Sequence, residues 1–330
     1  MRVVHLEPLP EWIRTLYRDG LPGGIDMSWP DSAAGLRDAE VVVTARRCVS
    51  ASIIEGIGPS LRLIQVQGRA PWAVDWAAAA KAGIPVSSIP HRGAIAVAEH
   101  AMALMLGVIR KVVEGHRGTV AARYRDLGIE PFRTDERTIA FNWLKIPGIG
   151  QLFGKTLGLI GLGDIGLEVA RRARAFDMTV CYHKRAPLPD GAERLVEVRH
   201  LPLDELLSTA HVVSLHAPHT PQTEQLIDER ALARMRRDAI LVNTARGGLV
   251  DEHALVTALR EKRIAGAGLD VFVDEPLPAG HPLLEVDNVV LSPHVGGGTG
   301  GGQRGLVADV IDNLARLLRG DPPLHITVGP

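Results

Sequence analysis

Cysteine is nearly absent from this chain. Cys48 and Cys181 are the only two in 330 residues, which argues against a disulfide framework and is compatible with a reducing compartment. A surplus of either charge is missing too: 37 Lys+Arg stand against 38 Asp+Glu, a formal net charge of −1. Nothing electrostatic therefore points to nucleic acid or an anionic membrane as a partner. Long apolar runs are lacking. The longest, residues 94–109, is interrupted by Glu99 and His100 and reads as too short to span a bilayer. Residues 1–7 hold too little apolar sequence for a signal peptide. There is no HExxH, no paired cysteine and no tandem repeat, so no metal is expected. The expectation is a cytoplasmic protein. With 46% hydrophobic and 23% charged residues, the chain has the composition of a soluble globular protein of about two domains.

The most informative stretch present is residues 155–176, KTLGLIGLGDIGLEVARRARAF. A short apolar run at 156–160 suits a buried parallel strand. Gly161-Leu162-Gly163-Asp164-Ile165-Gly166 follows at once, then a helix-like pattern through Leu167, Ala170 and Ala173, then a second strand-like run at 179–182. Strand, glycine turn, helix and strand is the order a dinucleotide site requires, and this context favours that reading over a merely structural turn. The first glycine makes the turn, the second admits the pyrophosphate, and the third lets helix and strand pack. The helix N-terminus then offers N–H groups to the phosphates.

Residues 1–90 read as a small α/β unit, with strands at 2–6, 40–45, 61–66 and 85–89. Helices are expected around 10–18, 51–57 and 74–82. Alternation of this kind implies a parallel sheet with helices on both faces. Residues 94–113 read as one long apolar helix. Residues 115–153 are poorly periodic, and a connection this long is usually an arm or lid. Phe132, Phe141, Trp143 and Phe153 fall within it and favour ordered contacts. Beyond it, residues 155–294 continue the alternation. Short helices are expected at 203–207, 223–235 and 252–262, and strands at 211–215, 239–243, 267–271 and 289–292. The result is a doubly wound sheet of about six strands. An amphipathic helix is expected over 304–319.

Polar residues stand at the ends of the apolar strands, where ligands bind in an open α/β sheet. Arg246 follows LVNTA, Asp270 closes GAGL, Glu275 lies beyond VFVD, and His294 ends VVLSP. Spacing alone cannot bring residues 246, 275 and 294 together.

From Val97 to about Arg319 the chain resembles the D-isomer-specific 2-hydroxyacid dehydrogenases, a family that includes glyoxylate/hydroxypyruvate reductases and phosphoglycerate dehydrogenase. The resemblance is carried by VAEHAMALML, GKTLGLIGLGDIG, VVSLHAPHTPQTEQLI, NTARGGLVDEHAL, AGAGLDVFVDEPLP and NVVLSPHVGGGT. It implies two doubly wound parallel-sheet domains. A Rossmann dinucleotide-binding domain (97–294, including the arm 115–153) is inserted into a flavodoxin-like substrate domain (1–96 and 295–330), and subunits pair as a homodimer. It implies Arg246, Glu275 and His294 as the catalytic set. The implied coenzyme contacts are Gly161, Gly163, Asp164, Ile165, Gly166, His183, Lys184, Arg185, His216, Ala217, Pro218, Thr244, Ala245, Arg246, Asp270, His294 and Gly296. Asp270 is expected close to the nicotinamide amide, with a strand-end cap as the alternative. Substrate contacts would come from Gly68, Arg69, Ala70, Arg246 and His294.

The chemistry suits these types. A guanidinium grips both carboxylate and carbonyl of a 2-oxo acid, histidine supplies a proton near neutral pH, and a neighbouring carboxylate holds the ring. The strand at 179–182 leads into Tyr182-His183-Lys184-Arg185, with no acid before Asp190. An acid would bind ribose hydroxyls, whereas two cations suit a 2′-phosphate, so NADP(H) is favoured over NAD. The resemblance frays at residues 67–75, where Ala70 and Trp72 replace a glycine-rich pattern, at Gly93, and in the glycine run 296–302. Substrate identity stays open there. The expected activity is reduction of a small 2-oxo acid such as glyoxylate or hydroxypyruvate. Phosphite-type oxidation and a nucleotide-sensing, corepressor-like binding protein are the alternatives.

Overall fold

A computed structural model describes residues 1–30, 33–298 and 302–327. The chain divides into two compact units, one of Met1–Val97, Leu188–Glu197 and Gly297–Pro330, the other of Ala98–Pro187 and Val198–Gly296. Residues 299–301 of the glycine run lie outside the described part.

The first unit begins with β1 (Arg2–His5), α1 (Glu11–Gly20), β2 (Asp26–Ser28), β3 (Val41–Thr44), α2 (Ala51–Ile57), β4 (Leu63–Gln67), α3 (Trp76–Lys81) and β5 (Val86–Ile89). All of these strands but the short edge strand β2 are largely buried, as parallel strands under helices must be. Ser50 and Asp75 cap α2 and α3, accepting from the amides of Ile53 and Ala78 as short polar residues at a helix start do.

The helix expected over 94–113 ends sooner, as α4 (Arg92–Ile109), and a second helix, α5 (Val112–Val120), occupies the start of the segment expected to be an arm over 115–153. Lys111 adopts φ 56° and ends the first ladder without the glycine that usually marks such a stop. By length and composition α4 is apolar enough to cross a membrane, contrary to the sequence expectation, and 44% of it is buried inside the protein. Ala98, Ala101, Leu104 and Met105 lie in the core, each leucine- or methionine-sized side chain contributing roughly 1.5–3 kcal/mol by leaving water. Residues 121–153 hold no helix or strand. The contacts expected of the aromatic residues there are met only in part. Tyr124 and Trp143 pack edge to face, while Phe132, Phe141 and Phe153 are exposed.

The second unit continues with β6 (Thr156–Ile160), α6 (Asp164–Arg174), β7 (Thr179–His183), α7 (Ala192–Val196), β8 (Arg199–His200), α8 (Leu203–Thr209), β9 (Val212–Leu215), α9 (Glu229–Arg234), β10 (Ile240–Asn243), α10 (Glu252–Arg260), β11 (Gly266–Leu269) and β12 (Val289–Leu291). Within that run, α7 belongs to the segment that groups with the first unit. The sheet has seven strands rather than six, all parallel, in the order β12-β11-β10-β9-β6-β7-β8. The helix expected at 223–235 shrinks to α9, because Thr223 Oγ1 accepts from Thr220 N and donates to Pro218 O, closing a turn instead. Helix α4 lies so close to β11 that a side chain has no room there. A Cβ on Gly268 would sit 2.9 Å from Leu104 Cβ, and one on Gly266 2.8 Å from Val108 Cγ1.

Finally α11 (Gln303–Arg319) and β13 (Ile326–Thr327) return to the first unit. Its sheet runs β13-β5-β4-β3-β1-β2, the flavodoxin-like order of five parallel strands with β13 added antiparallel to β5. Leu306, Val310 and Leu314 of α11 pack with Tyr17, Val41 and Leu63. Asn313, fully buried, donates to Gln65 Oε1 (2.6 Å) and Ser87 Oγ (3.0 Å) and accepts from Leu324 N (2.6 Å).

Candidate active site at the carboxyl edge of the second sheet

Because the seven strands are parallel, their carboxyl ends share one edge, and nearly every residue singled out in this part of the sequence stands on it. β6 leads to the glycine turn, β7 to Lys184 and Arg185, and β9 to His216, Ala217 and Pro218. β10 leads to Thr244, Ala245 and Arg246, β11 to Asp270, and β12 to His294 and Gly296. The strand order reverses between β6 and β9, the place where an open α/β sheet leaves a crevice.

The turn at that crevice is built for close approach. Gly161 has φ 95°, and a Cβ there would lie 2.6 Å from the backbone of His216 and Ala217. Gly163 is the N-cap of α6 and no side chain caps that end, so its first-turn amides face the crevice. Asp164 and Ile165 begin the helix, and Gly166 packs against the Gly161 carbonyl. Nearby, Thr244 Oγ1 and His216 Nδ1 are buried without a hydrogen-bond partner among the described residues. His216 Nε2 lies 2.9 Å from Ser214 Oγ, and burial pushes the imidazole down to about 4. Orphaned buried polar atoms beside an uncapped glycine turn are what a dinucleotide would satisfy. The residues present therefore fit the coenzyme. His183 stacks on His200 at 6.0 Å between centroids. Past it, Lys184 is half-buried and Arg185 exposed.

At the other side of β9 His294 and Glu275 meet, and the charge of Arg246, whose Nη1 donates to Ala245 O at 2.5 Å, acts on Glu275. His294 Nδ1 lies 2.6 Å from Glu275 Oε2, and Glu275 Oε1 accepts from Phe272 N at 3.0 Å. The His294 bond, with the Phe272 amide and the charges of His294 and Arg246, holds the Glu275 carboxyl below its ordinary range despite some desolvation. Arg246 is brought close by Gly247, whose missing Cβ would fall 1.9 Å from the Phe272 carbonyl carbon. Asn243 braces the Arg246 loop, accepting from Ala245 N (3.0 Å) and donating to Arg246 O (2.8 Å). His294 itself has φ 54°, a left-handed conformation that costs a non-glycine residue of order 1 kcal/mol and persists only when its surroundings fix it.

Asp270 does that fixing. Its side chain is 1–2% exposed. Oδ1 accepts from Ser292 Oγ (2.6 Å) and Val295 N (3.0 Å), Oδ2 from Gly296 N (2.8 Å), and the backbone carbonyl from His294 N (2.9 Å). Asp270 thus caps the turn that follows β12. The glycine-rich pair Gly247-Gly248 and the apolar helix bearing His100 were visible as sequence, but neither announced these contacts.

Gly68, Arg69 and Ala70 belong to the first unit, at the carboxyl end of β4. Gly68 has φ 92° and donates to Ile89 O (2.7 Å), Arg69 is exposed, and Ala70 is buried.

A family profile described as "D-isomer specific 2-hydroxyacid dehydrogenase, NAD binding domain" matches residues 102–296. The chain belongs to that family. Within it, the chain is similar to a protein named glyoxylate reductase from Korarchaeum cryptofilum, 37% identical across 84% of this chain and 79% of the relative. A solved glyoxylate reductase from Paecilomyes thermophila superposes with a TM-score of 0.57 at 28% identity, covering 99% of this chain and 98% of that one. A solved acyclic imino acid reductase in complex with NADPH and D-Arg gives 0.54 at 26% identity, covering 99% and 100%. The motifs quoted from the sequence thus led to the right family and fold. The protein is an NAD(P)-dependent oxidoreductase of the 2-hydroxyacid dehydrogenase family.

Proposed function

We propose that this family member is an NADPH-dependent reductase of a small 2-oxo acid of the glyoxylate or hydroxypyruvate class, with Arg246, Glu275 and His294 as its catalytic residues. The observation that carries the reading is the Glu275–His294 bond at the strand edge beside Arg246. The coenzyme, when bound, supplies the hydride. Reduction adds that hydride to the carbonyl carbon and one proton to its oxygen. With His294 Nδ1 held by Glu275, Nε2 is the nitrogen that delivers the proton, and the carboxylate stabilises the imidazolium beforehand. In the oxidative direction neutral Nε2 accepts the hydroxyl proton. Arg246 pairs with the substrate carboxylate and polarises the carbonyl while keeping its charge.

NADPH is preferred on the strength of Lys184 and Arg185, which stand where an acid would otherwise bind the ribose, and the NADPH complex of the similar imino acid reductase is in keeping with this. The proposal includes a homodimer formed through the second unit, whose exposed Phe132, Ile139, Phe141 and Phe153 leave apolar surface to cover. It also includes a cytoplasmic location, which suits two free thiols. The test is oxidation of NADPH and of NADH against a panel of 2-oxo acids, with His294→Ala as control. Turnover with glyoxylate or hydroxypyruvate that collapses in the variant while coenzyme still binds is the expected result. No turnover with any 2-oxo acid, or an undiminished variant, rules the reading out.

A further inference from the structure

The contacts of α4 with β11 form a ladder. Leu104 lies over Gly268 and Val108 over Gly266. Four helical residues rise about 6.0 Å and two strand residues about 6.6 Å, so steps of four on one element match steps of two on the other. The next rung in this series is residue 100 over residue 270. There His100 Nε2 lies 3.1 Å from Asp270 Oδ1 and 2.8 Å from Ser292 Oγ.

The protons at this rung can be counted. Asp270 Oδ1 and Ser292 Oγ are 2.6 Å apart, and with the carboxylate ionised the proton between them is the hydroxyl's. Ser292 has no second proton, so its contact with His100 requires Nε2 to carry one. That N–H then serves both Ser292 Oγ and Asp270 Oδ1. A bare Nε2 would instead set a lone pair against the carboxylate. Among the described residues no lysine or arginine pairs with Asp270. His100 is the one basic side chain against it, beside the Ser292 hydroxyl and the amides of Val295 and Gly296, and each donor lost to a buried carboxylate is costly.

We propose that His100 is a positioning residue for the His294 turn. Its Nε2–H, delivered by α4, locks Asp270 and Ser292, which in turn hold residues 292–296 and the left-handed backbone of His294. The inference rests on the reading of His294 as the proton donor, and it adds a residue outside the Arg246, Glu275 and His294 set.

The test compares the wild type with His100→Leu and His100→Gln, the glutamine amide reaching where Nε2 does. A displacement of the His294 ring of about 1 Å costs up to about a hundredfold in rate. His100→Leu is therefore expected to lower kcat by about tenfold or more, with KM for the 2-oxo acid changed by less than about threefold. His100→Gln should regain most of that loss. An ordinary packing role would lower the thermal midpoint without this split or this rescue. Unchanged kcat in His100→Leu, or equal losses in both variants, overturns the proposal. Should His100→Leu fail to fold, ring ¹⁵N spectra of the wild type decide. A protected Nε2–H missing from His100→Gln supports the assignment, and an unprotonated Nε2 refutes it. Failure of the functional reading is separately visible as an inactive wild type or an active His294→Ala.

Discussion

Replacing Gly247 by alanine is the sharpest way to ask whether Arg246 and the Glu275–His294 pair work as one site. The new Cβ would fall 1.9 Å from the Phe272 carbonyl carbon, 2.1 Å from its oxygen and 2.3 Å from Val273 N. Non-bonded carbons settle at about 3.5–4.0 Å, so the two backbones must part by roughly 1.5 Å. Both are main chain, and no rotamer change relieves them. Overpacking of this kind costs about 1–3 kcal/mol of stability, and a reacting geometry displaced by 1 Å loses about a hundredfold. Steady-state reduction of the best 2-oxo acid should therefore show kcat/KM lowered by about a hundredfold or more, in a protein that still folds and binds coenzyme. Gly248→Ala is the matched control. The three atoms nearest its Cβ all belong to the ring of His219, the first at 2.5 Å, and that side chain, exposed and paired only with the exposed Glu224 among the described residues, can swing aside, so kcat/KM should stay within about threefold. If both variants behave alike, or Gly247→Ala stays within tenfold of wild type, the close approach does not position Arg246.

Gly56, on an exposed part of α2 with nothing within 4 Å of a Cβ, should accept alanine with a gain of about 0.5–1 kcal/mol in urea unfolding, as less backbone entropy is lost. His216 is held neutral by burial, its pKa pushed from 6.5 to about 4. The unfolded chain therefore takes up the proton first, and stability falls as pH drops from about 6.5 towards 4, by up to about 3 kcal/mol. Urea midpoints of coenzyme-free protein should show that slope flattened in His216→Asn, and an identical slope would contradict the assignment. Lys184→Ala with Arg185→Ala should weaken NADPH binding by about 10–30-fold and NADH by less than about threefold. Solvent around the half-buried Lys184 and the exposed Arg185 keeps each charge–phosphate contact to about 1 kcal/mol. Fluorescence titration showing equal weakening of both coenzymes would count against a 2′-phosphate site.

Sequence reasoning reached the long buried strands because a β-branched run such as Val41–Thr44 has few other uses. It missed β2 and β8, whose Asp26–Ser28 and Arg199–His200 carry no apolar pattern, and β13, held by partners far along the chain. It ran α4 on to residue 113 because Lys111 turns left-handed without glycine, it took most of α5 for the arm, and it overextended α9 because a threonine turn looks helical by composition. Within the site, residue types were legible and distances were not. Residues 275 and 294 meet, and the charge of 246 reaches them, only because parallel strands end on one edge. His100 looked like a flaw in an apolar run, since its meaning depends on the step-of-four register with Gly266, Gly268 and Asp270.

The return of α11 and β13 to the first unit bears on how this protein is made. β1, the first element in chain order, waits for Leu306, Val310 and Leu314, and Gln65 and Ser87 wait for Asn313. On the ribosome these partners emerge after every strand of the second sheet. Domains fold as units as they are synthesised, so the second unit can complete its core while the first is still open along one face. That face exposes apolar surface throughout translation. The first unit, begun earliest, is the last to close.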